Sequence, residues 1–443
     1  MNDLYNRFRT LDDLPVPDLW HEAEARAQTL QQRGARPLSW ALVAMMLLLA
    51  LAIGSAALIG SGVIKLPAII DSSADPSSSP LLSATPGWSE TGRMIQARTG
   101  HTATLLPDGS VLVAGGYRGI HNFNPAAGDY AFGSAELYDP ESRTWTSAGN
   151  MTVPRWRHTA TLLPDGRVLV VGGFSGNPED SALASAELYD PSSRTWTRIA
   201  SMGAERGLHT ATLLTTGEVL VSGGRGVGDE WASTELFDPR SGTWAATGNM
   251  ASPRLGHSAT ILSDGRVLVV GGEFNAPEAV SAELYDPGSR TWTSTESGLI
   301  LGSTSVTLLS DGRVLVGPGR FNELYDPSTD TWIAAEPMIA SRVGGTATLL
   351  PTGEVLVAGG EGIQASRAIT ATAELFDPRT GGWSSAGRMI AGRSGHTATL
   401  LSDGRVLVVG GGGFRTRVAD DSAIGEYILS DVSAELYDPG RGT

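Results

Sequence analysis

Arginine and histidine recur three residues apart along this chain: Arg98 with His101, Arg155 with His158, Arg206 with His209, Arg254 with His257 and Arg393 with His396. Arg342 recurs without a histidine. A glutamate recurs beside them, at Glu136, Glu187, Glu235, Glu283, Glu323, Glu374 and Glu435. Two chemistries suit such a set. Gathered around one axis, guanidinium and imidazole groups would hold an anion or a metal. Distributed one set per repeat, Arg and Glu would pair and His would bond backbone within or between repeats, because buried charges and polar groups need partners. A residue type present in nearly every repeat serves something every repeat needs, which favours the second. No two histidines share a short ligand spacing and no HExxH occurs, so neither a metal nor another cofactor is expected. There is no cysteine, which removes thiolate ligands, disulfides and cysteine nucleophiles. The segment GGRGVG at 223–228 echoes a phosphate-binding loop, but no helix follows it to supply the N-terminal dipole.

The elements that position these residues are written seven times. HTATLLPDGSVLVAGG at 101–116 returns near 158, 209, 257 and 396, with weaker copies at 303 and 344; each is followed by a variable stretch and then ELYDP or ELFDP. HTATLL and RVLVVGG are β-branched, apolar runs joined by a Pro-Asp-Gly or Ser-Asp-Gly turn, a hairpin signal. AELYD is a third strand ended by Asp-Pro, and a fourth begins at Thr-Trp. Both faces of the hairpin are largely uncharged, as in a sheet buried between neighbouring sheets. Units of about 40–57 residues, each a four-stranded sheet stacked about an axis, describe an all-β propeller.

In the Gly pair (Gly115 and Gly116, Gly172 and Gly173), the aromatic of ELYDP and the tryptophan about six residues later, the sequence resembles the kelch-repeat family. The resemblance covers residues 88–443 and implies a seven-bladed kelch-like β-propeller. It does not specify a function. Galactose oxidase is similar in its kelch-type propeller, but its copper radical cofactor needs a tyrosine cross-linked to cysteine, and no cysteine exists here.

Ring closure is expected from a mismatch in count. Trp145, Trp196, Trp244, Trp292, Trp332 and Trp383 begin the fourth strands of six blades, and the last ELYDP stops at Thr443 without one. Trp88, in PGWSETGRM, matches GTWAATGNM at 242–250, so residues 88–94 are expected to form the outer strand of the last blade, paired with 433–438. Otherwise the first and last blades would expose unpaired edges. Blade five is the outlier, with Leu301 for Arg, Thr304 for His and Pro318 at the first Gly position.

Specificity is expected where the repeats differ. The loops joining strands two and three share one face with those joining blades, and the longest are 117–133 in blade one and 412–432 in blade seven, which closure makes neighbours. They supply Tyr117, Arg118, His121, Phe123, Tyr130, Phe132, Phe414, Arg415, Arg417, Asp420, Asp421 and Tyr427, aromatic and arginine anchors of the kind binding surfaces favour. Insertions packed on themselves are the alternative. Asp420, Asp421, Glu426 and Asp431 lack the spacing of a calcium loop.

Residues 40–60 form a 21-residue run without a charge, and at about 1.5 Å per residue a helix of that length spans the roughly 30 Å hydrocarbon core. Arg7, Arg9, Arg26, Arg33 and Arg36 precede it and only Lys65 follows closely, which places the N-terminus in the cytoplasm and the propeller outside the cell membrane. The division expected is a cytoplasmic stub with a short amphipathic helix at 1–38, a transmembrane helix at 39–66, a Ser/Pro-rich linker at 67–87 and the propeller at 88–443. The alternatives are a buried core helix and a cleaved signal peptide, against the latter of which the 39 residues before the apolar run argue. The net charge of −15 repels phosphate backbones, so nucleic acid is not expected as a partner. The sequence therefore points to a single-pass, non-enzymatic module binding a protein or carbohydrate ligand on the loop face. A glycan-active surface enzyme and a sensor propeller coupled to the cytoplasmic stub remain the other readings.

Overall fold

The computed structural model describes residues 87–118, 131–176, 181–227, 231–272, 282–295, 305–317, 319, 322–362, 368–419, 422–428 and 432–440. The stub, the apolar run and most of the linker lie outside them; among the described residues no helix is long and apolar enough to cross a membrane.

Seven four-stranded antiparallel sheets make up the fold. Blade one is typical: Thr102–Leu105 pairs with Val111–Ala114, which pairs with Ser134–Asp139, which pairs with Thr144–Asn150. The first strands of successive blades touch around a complete circle, blade seven against blade one included. Second strands are buried throughout, Val168–Val171 with every residue covered, which is why they read as continuous apolar runs. The first-to-second and third-to-fourth turns share one face of the ring. The second-to-third loops and the connections between blades share the other.

The core is divided among the blade interfaces. Between blades one and two, Leu112, Leu137 and Met151 pack against Val168, Val170 and Tyr189, and six further clusters fill the other interfaces. Each ELYDP aromatic meets its tryptophan across the outer strand pair, as Tyr189 meets Trp196 at 4.9 Å between ring centroids. That indole then donates from Nε1 to the Ala148 carbonyl of the preceding blade at 2.9 Å. One residue thus packs its own sheet and ties it to the preceding one. Trp332 of blade five is different: its buried Nε1 has no partner among the described residues. Blade five also has the shortest inner strands, Val306–Leu308 and Val314–Val316.

Closure falls on the first strand. Gly87–Glu90 pairs antiparallel with Ala434–Asp438, Trp88 opposite Tyr437, and Trp88 donates to the Ala386 carbonyl at 2.9 Å. The ladder is shorter than the 88–94 read from the sequence. Past Glu90 the chain bends to press Gly92 on the Arg143 carbonyl, so close that a Cβ there would lie 2.1 Å from the oxygen. Single backbone bonds carry the association on, from the Thr91 amide to the Ala434 carbonyl at 3.1 Å and from the Met94 amide to the Val432 carbonyl at 2.8 Å.

The Gly pair follows from the same crowding. Gly172 and Gly173 hold φ of 63° and 88°, a region open to glycine at no steric cost. Their added Cβ atoms would lie 2.4 Å from the Arg206 carbonyl and 2.6 Å from that of Trp156.

Candidate functional site

The repeated charges are architectural. In blade two, Arg155 is fully buried and donates from Nη2 to Glu187 Oε1 at 2.9 Å. Its Nη1 donates to the Gly172 and Ser185 carbonyls at 2.8 and 3.0 Å. Glu187 in turn accepts from the Thr152 and Val153 amides at 2.7 and 3.1 Å. The group therefore clamps the connection between blades onto the second and third strands. Buried pairs Arg98–Glu136, Arg206–Glu235, Arg254–Glu283, Arg342–Glu374 and Arg393–Glu435 repeat it. Burial lowers the proton affinity of Arg98, Arg155, Arg206 and Arg342, and their glutamates oppose that shift. Removing one partner strands the other: Glu187→Ala is expected to destabilise by about 3–5 kcal/mol, whereas Arg155→Met with Glu187→Leu stays nearer wild type, both read from urea unfolding.

Histidine Nε2 bonds a threonine hydroxyl of the preceding blade. His158 meets Thr102 at 3.0 Å, His209 meets Thr159 at 2.9 Å, His257 meets Thr210 at 2.9 Å, and His101 meets Thr397 at 3.0 Å across the closure. His396 meets Thr346 at 3.1 Å. Burial, then the adjacent Arg98 charge, pushes the His101 imidazole down to about 3. His209, His257 and His396 lie at about 3 for the same two reasons, and His158 well below its usual value. Neutral, covered and hydrogen-bonded, these side chains lack the access that acid–base work on a ligand needs. Among the described residues no cluster of His, Cys, Asp or Glu has the grouping of a metal site.

Of the residues singled out for binding, Tyr117, Arg118 and Phe132 are described with their side chains, on the loop face of blade one. Tyr117 is 3% exposed; it pairs with Thr99 and Ala131 and packs on Trp156 at 4.6 Å, so it forms the base of its loop. Arg118, the next residue, is exposed. Phe132 lies beneath Arg98, whose guanidinium carbon is 5.7 Å from the ring centre. His121, Phe123 and Tyr130 lie outside the described residues. In blade seven the insertion is a hairpin, Gly413–Ala419 with Ser422–Ile428, pairing Phe414 with Tyr427, Arg415 with Glu426 and Arg417 with Ile424. Asp420, Asp421 and Asp431 lie outside the described residues. The two blades adjoin there, the Thr99 hydroxyl donating to the Gly395 carbonyl at 3.2 Å.

Sequence reasoning missed Trp156 and Phe174. Trp156 packs between Tyr117 and Phe174, 5.5 Å from the latter, and the three buried rings form an aromatic wedge under the loops of blades one and two. The signal was present: between Arg and His the other repeats place Thr99, Gly207, Leu255, Val343 and Ser394 where this one has Trp156.

On the opposite face three clefts lie between blades. One of about 530 Å³ is lined by Asp165, Glu218, Asp238 and Arg240, and another of about 740 Å³ by Asp403, Arg405 and Asp438; the third repeats the same turns in blades four and five. They are made of turn residues that recur from blade to blade.

Comparison with known proteins agrees with the ring. The profile described as the KLHDC2/KLHL20/DRC7 Kelch-repeats domain matches residues 100–304. F-box/kelch-repeat protein SKIP30 of Arabidopsis thaliana is 30% identical over 125 residues, 27% of this chain and 34% of that protein. Kelch-like protein 35 of Mus musculus is 36% identical over 90 residues, 20% of this chain and 15% of that one. Galactose oxidase of Gibberella zeae is 38% identical over 78 residues, 17% and 11% respectively. The chain thus spans about a third or less of the length of these relatives. A fungal alcohol oxidase solved in complex with copper superposes with a TM-score of 0.60 at 19% identity, covering 81% of this chain and 76% of that one, and shares the fold. The fold is thus a seven-bladed β-propeller, and residues 100–304 are similar to the Kelch-repeats profile.

Proposed function

We propose that this protein is a membrane-anchored, extracytoplasmic propeller that binds a protein or carbohydrate ligand through the loops of blades one and seven. One observation carries the reading: the polar residues common to the repeats are occupied in buried scaffold contacts, so chemistry open to a ligand is left to the residues that do not repeat. The two longest insertions of that kind belong to blades one and seven, which adjoin across the closure. The charge-free run at 40–60 and its arginine-rich N-terminal flank support anchoring with the ring outside. Kelch proteins among the relatives favour binding over catalysis, and the absence of cysteine leaves no place for the tyrosine–cysteine chemistry of galactose oxidase.

The test is a glycan array and a protein panel probed with the full chain and with Arg118→Ala, Arg415→Ala and Arg417→Ala combined. The expected result is a ligand whose binding falls at least about tenfold with the melting temperature unchanged. Turnover of a panel compound that is abolished by altering Asp420, Asp421 or Tyr427 would show an enzyme instead.

A further inference from the structure

Six of the connections between blades are described, and each repeats one backbone contact. The residue after a buried methionine donates its amide to the clamp glutamate: Ile95 to Glu136 at 2.6 Å, Thr152 to Glu187 at 2.7 Å, Gly203 to Glu235 at 2.7 Å, Ala251 to Glu283 at 2.7 Å, Ile339 to Glu374 at 2.8 Å and Ile390 to Glu435 at 2.6 Å. The scaffold needs the amide and leaves the side chain free, as Thr, Gly and Ala at three of the sites demonstrate. Isoleucine nonetheless stands at three successive connections, those entering blades six, seven and one. There it is 67%, 58% and 65% exposed for Ile339, Ile390 and Ile95. Single exposed apolar residues are ordinary; recurrence at one structural position on three adjacent blades is not.

The surroundings indicate the partner. Two residues before Ile95 and Ile390 stand Arg93 and Arg388, both exposed and neither in an ion pair among the described residues; Pro337 precedes Ile339, and blades two, three and four have Asn150, Ser201 and Asn249 instead. On a chain of net charge −15, this arc is apolar at all three blades and cationic at blades seven and one, while at blade six Glu336 is exposed beside Pro337. The arc also lies on the loop face, at the far end of the outer strand from Gly87, which pairs with Asp438 beside the turns. The isoleucines stand one per blade, so the arc offers its apolar contacts singly beside guanidinium groups, which suits the spaced side chains and carboxylates of a peptide better than a continuous lipid face.

We infer that the arc formed by Ile339, Ile390 and Ile95 with Arg388 and Arg93 is a docking surface for a protein segment that combines apolar side chains with carboxylates. Its residues are distinct from those of the loop surface proposed above. Random twelve-residue peptides displayed on phage are panned on the full chain and counter-selected on I95T/I339T/I390T, which keeps every amide contact and installs the residue native to blade two. Enriched peptides are expected to carry Leu, Ile or Phe flanked by Asp or Glu and to bind the triple variant at least about tenfold more weakly. R93A/R388A is expected to weaken them in low salt and to abolish most of the salt dependence. Unchanged melting of the triple variant shows that the ring is intact. Peptides that bind wild type and triple variant alike, or no enrichment, overturn the inference. So does a triple variant that loses binding to vesicles of phosphatidylcholine and phosphatidylserine but not to peptides. Binding that survives R118A/R415A/R417A separates this surface from the loops.

Discussion

Taken from pH 7 to pH 4.5, the propeller is expected to unfold cooperatively, with uptake of close to five protons. His101, His209, His257 and His396 titrate at about 3 in the folded ring and His158 well below its usual value, against 6.5 when exposed. Below about pH 6.5 the unfolded chain therefore binds more protons than the folded one, so stability is complete above that value and is lost as pH falls. Each histidine contributes about 1.4 kcal/mol per pH unit, and five together about 7 kcal/mol per pH unit. Against a total of about 5–15 kcal/mol typical of domains, the transition falls within one to two units below pH 6.5. Urea unfolding at a series of pH values measures the slope; less than about one proton taken up would contradict the buried, neutral histidines. His209→Gln retains a polar partner for Thr159 and is expected to reduce the uptake by one. The turn aspartates contribute at lower pH: serine hydroxyl and backbone donors hold Asp139 and Asp190 below the usual carboxylate range, so what they add is present above that range and disappears as pH falls through the lowered values.

A chain beginning at Arg98 is expected to fold into an open ring that aggregates. It lacks the strand opposite Ala434–Asp438, the Trp88–Tyr437 contact at 5.1 Å and the buried Met94, and it leaves the third strand of blade seven as a bare edge able to pair with another chain. Trp88→Ala alone removes the ring contact and the bond to Ala386, a loss of about 3 kcal/mol. A synthetic peptide of residues 86–97 added to the shortened chain is expected to restore a monomeric, cooperative transition by light scattering and calorimetry. A shortened chain as stable as one beginning at Pro86 would show that the outer strand contributes nothing.

How far the fold could be read in advance differs residue by residue. Trp88 betrayed the closure because its surroundings copy a fourth strand, and Arg155 and Glu187 betrayed their pairing because both recur with the blade. The threonine partners of the histidines were hidden: Thr102 and His158 are 56 positions apart and meet only because blades lie side by side. The burial of Tyr117 was hidden too, since its cover comes from Trp156 in the next blade. So was the exposure of Ile95, since an isoleucine beside a methionine reads as core. Contacts inside or between repeats leave a periodic trace when their members recur, but which recurring residues meet across a blade boundary, and the direction in which a non-repeating side chain points, leave none.

The pairing of Gly87–Glu90 with Ala434–Asp438 also sets a clock. At about 5–20 residues per second of synthesis, the chain separating Trp88 from Tyr437 emerges over roughly 20–70 s, and for that interval the first strand made has no partner. Blades one to six have local contacts and can assemble as they appear, whereas the seventh waits for a contact of very high sequence separation, whose loop-closure entropy must be overcome in one step. Translation of this ring therefore leaves its earliest β-segment as its latest to dock, and a chaperone that shields one short, tryptophan-bearing stretch would protect the nascent protein for most of its synthesis.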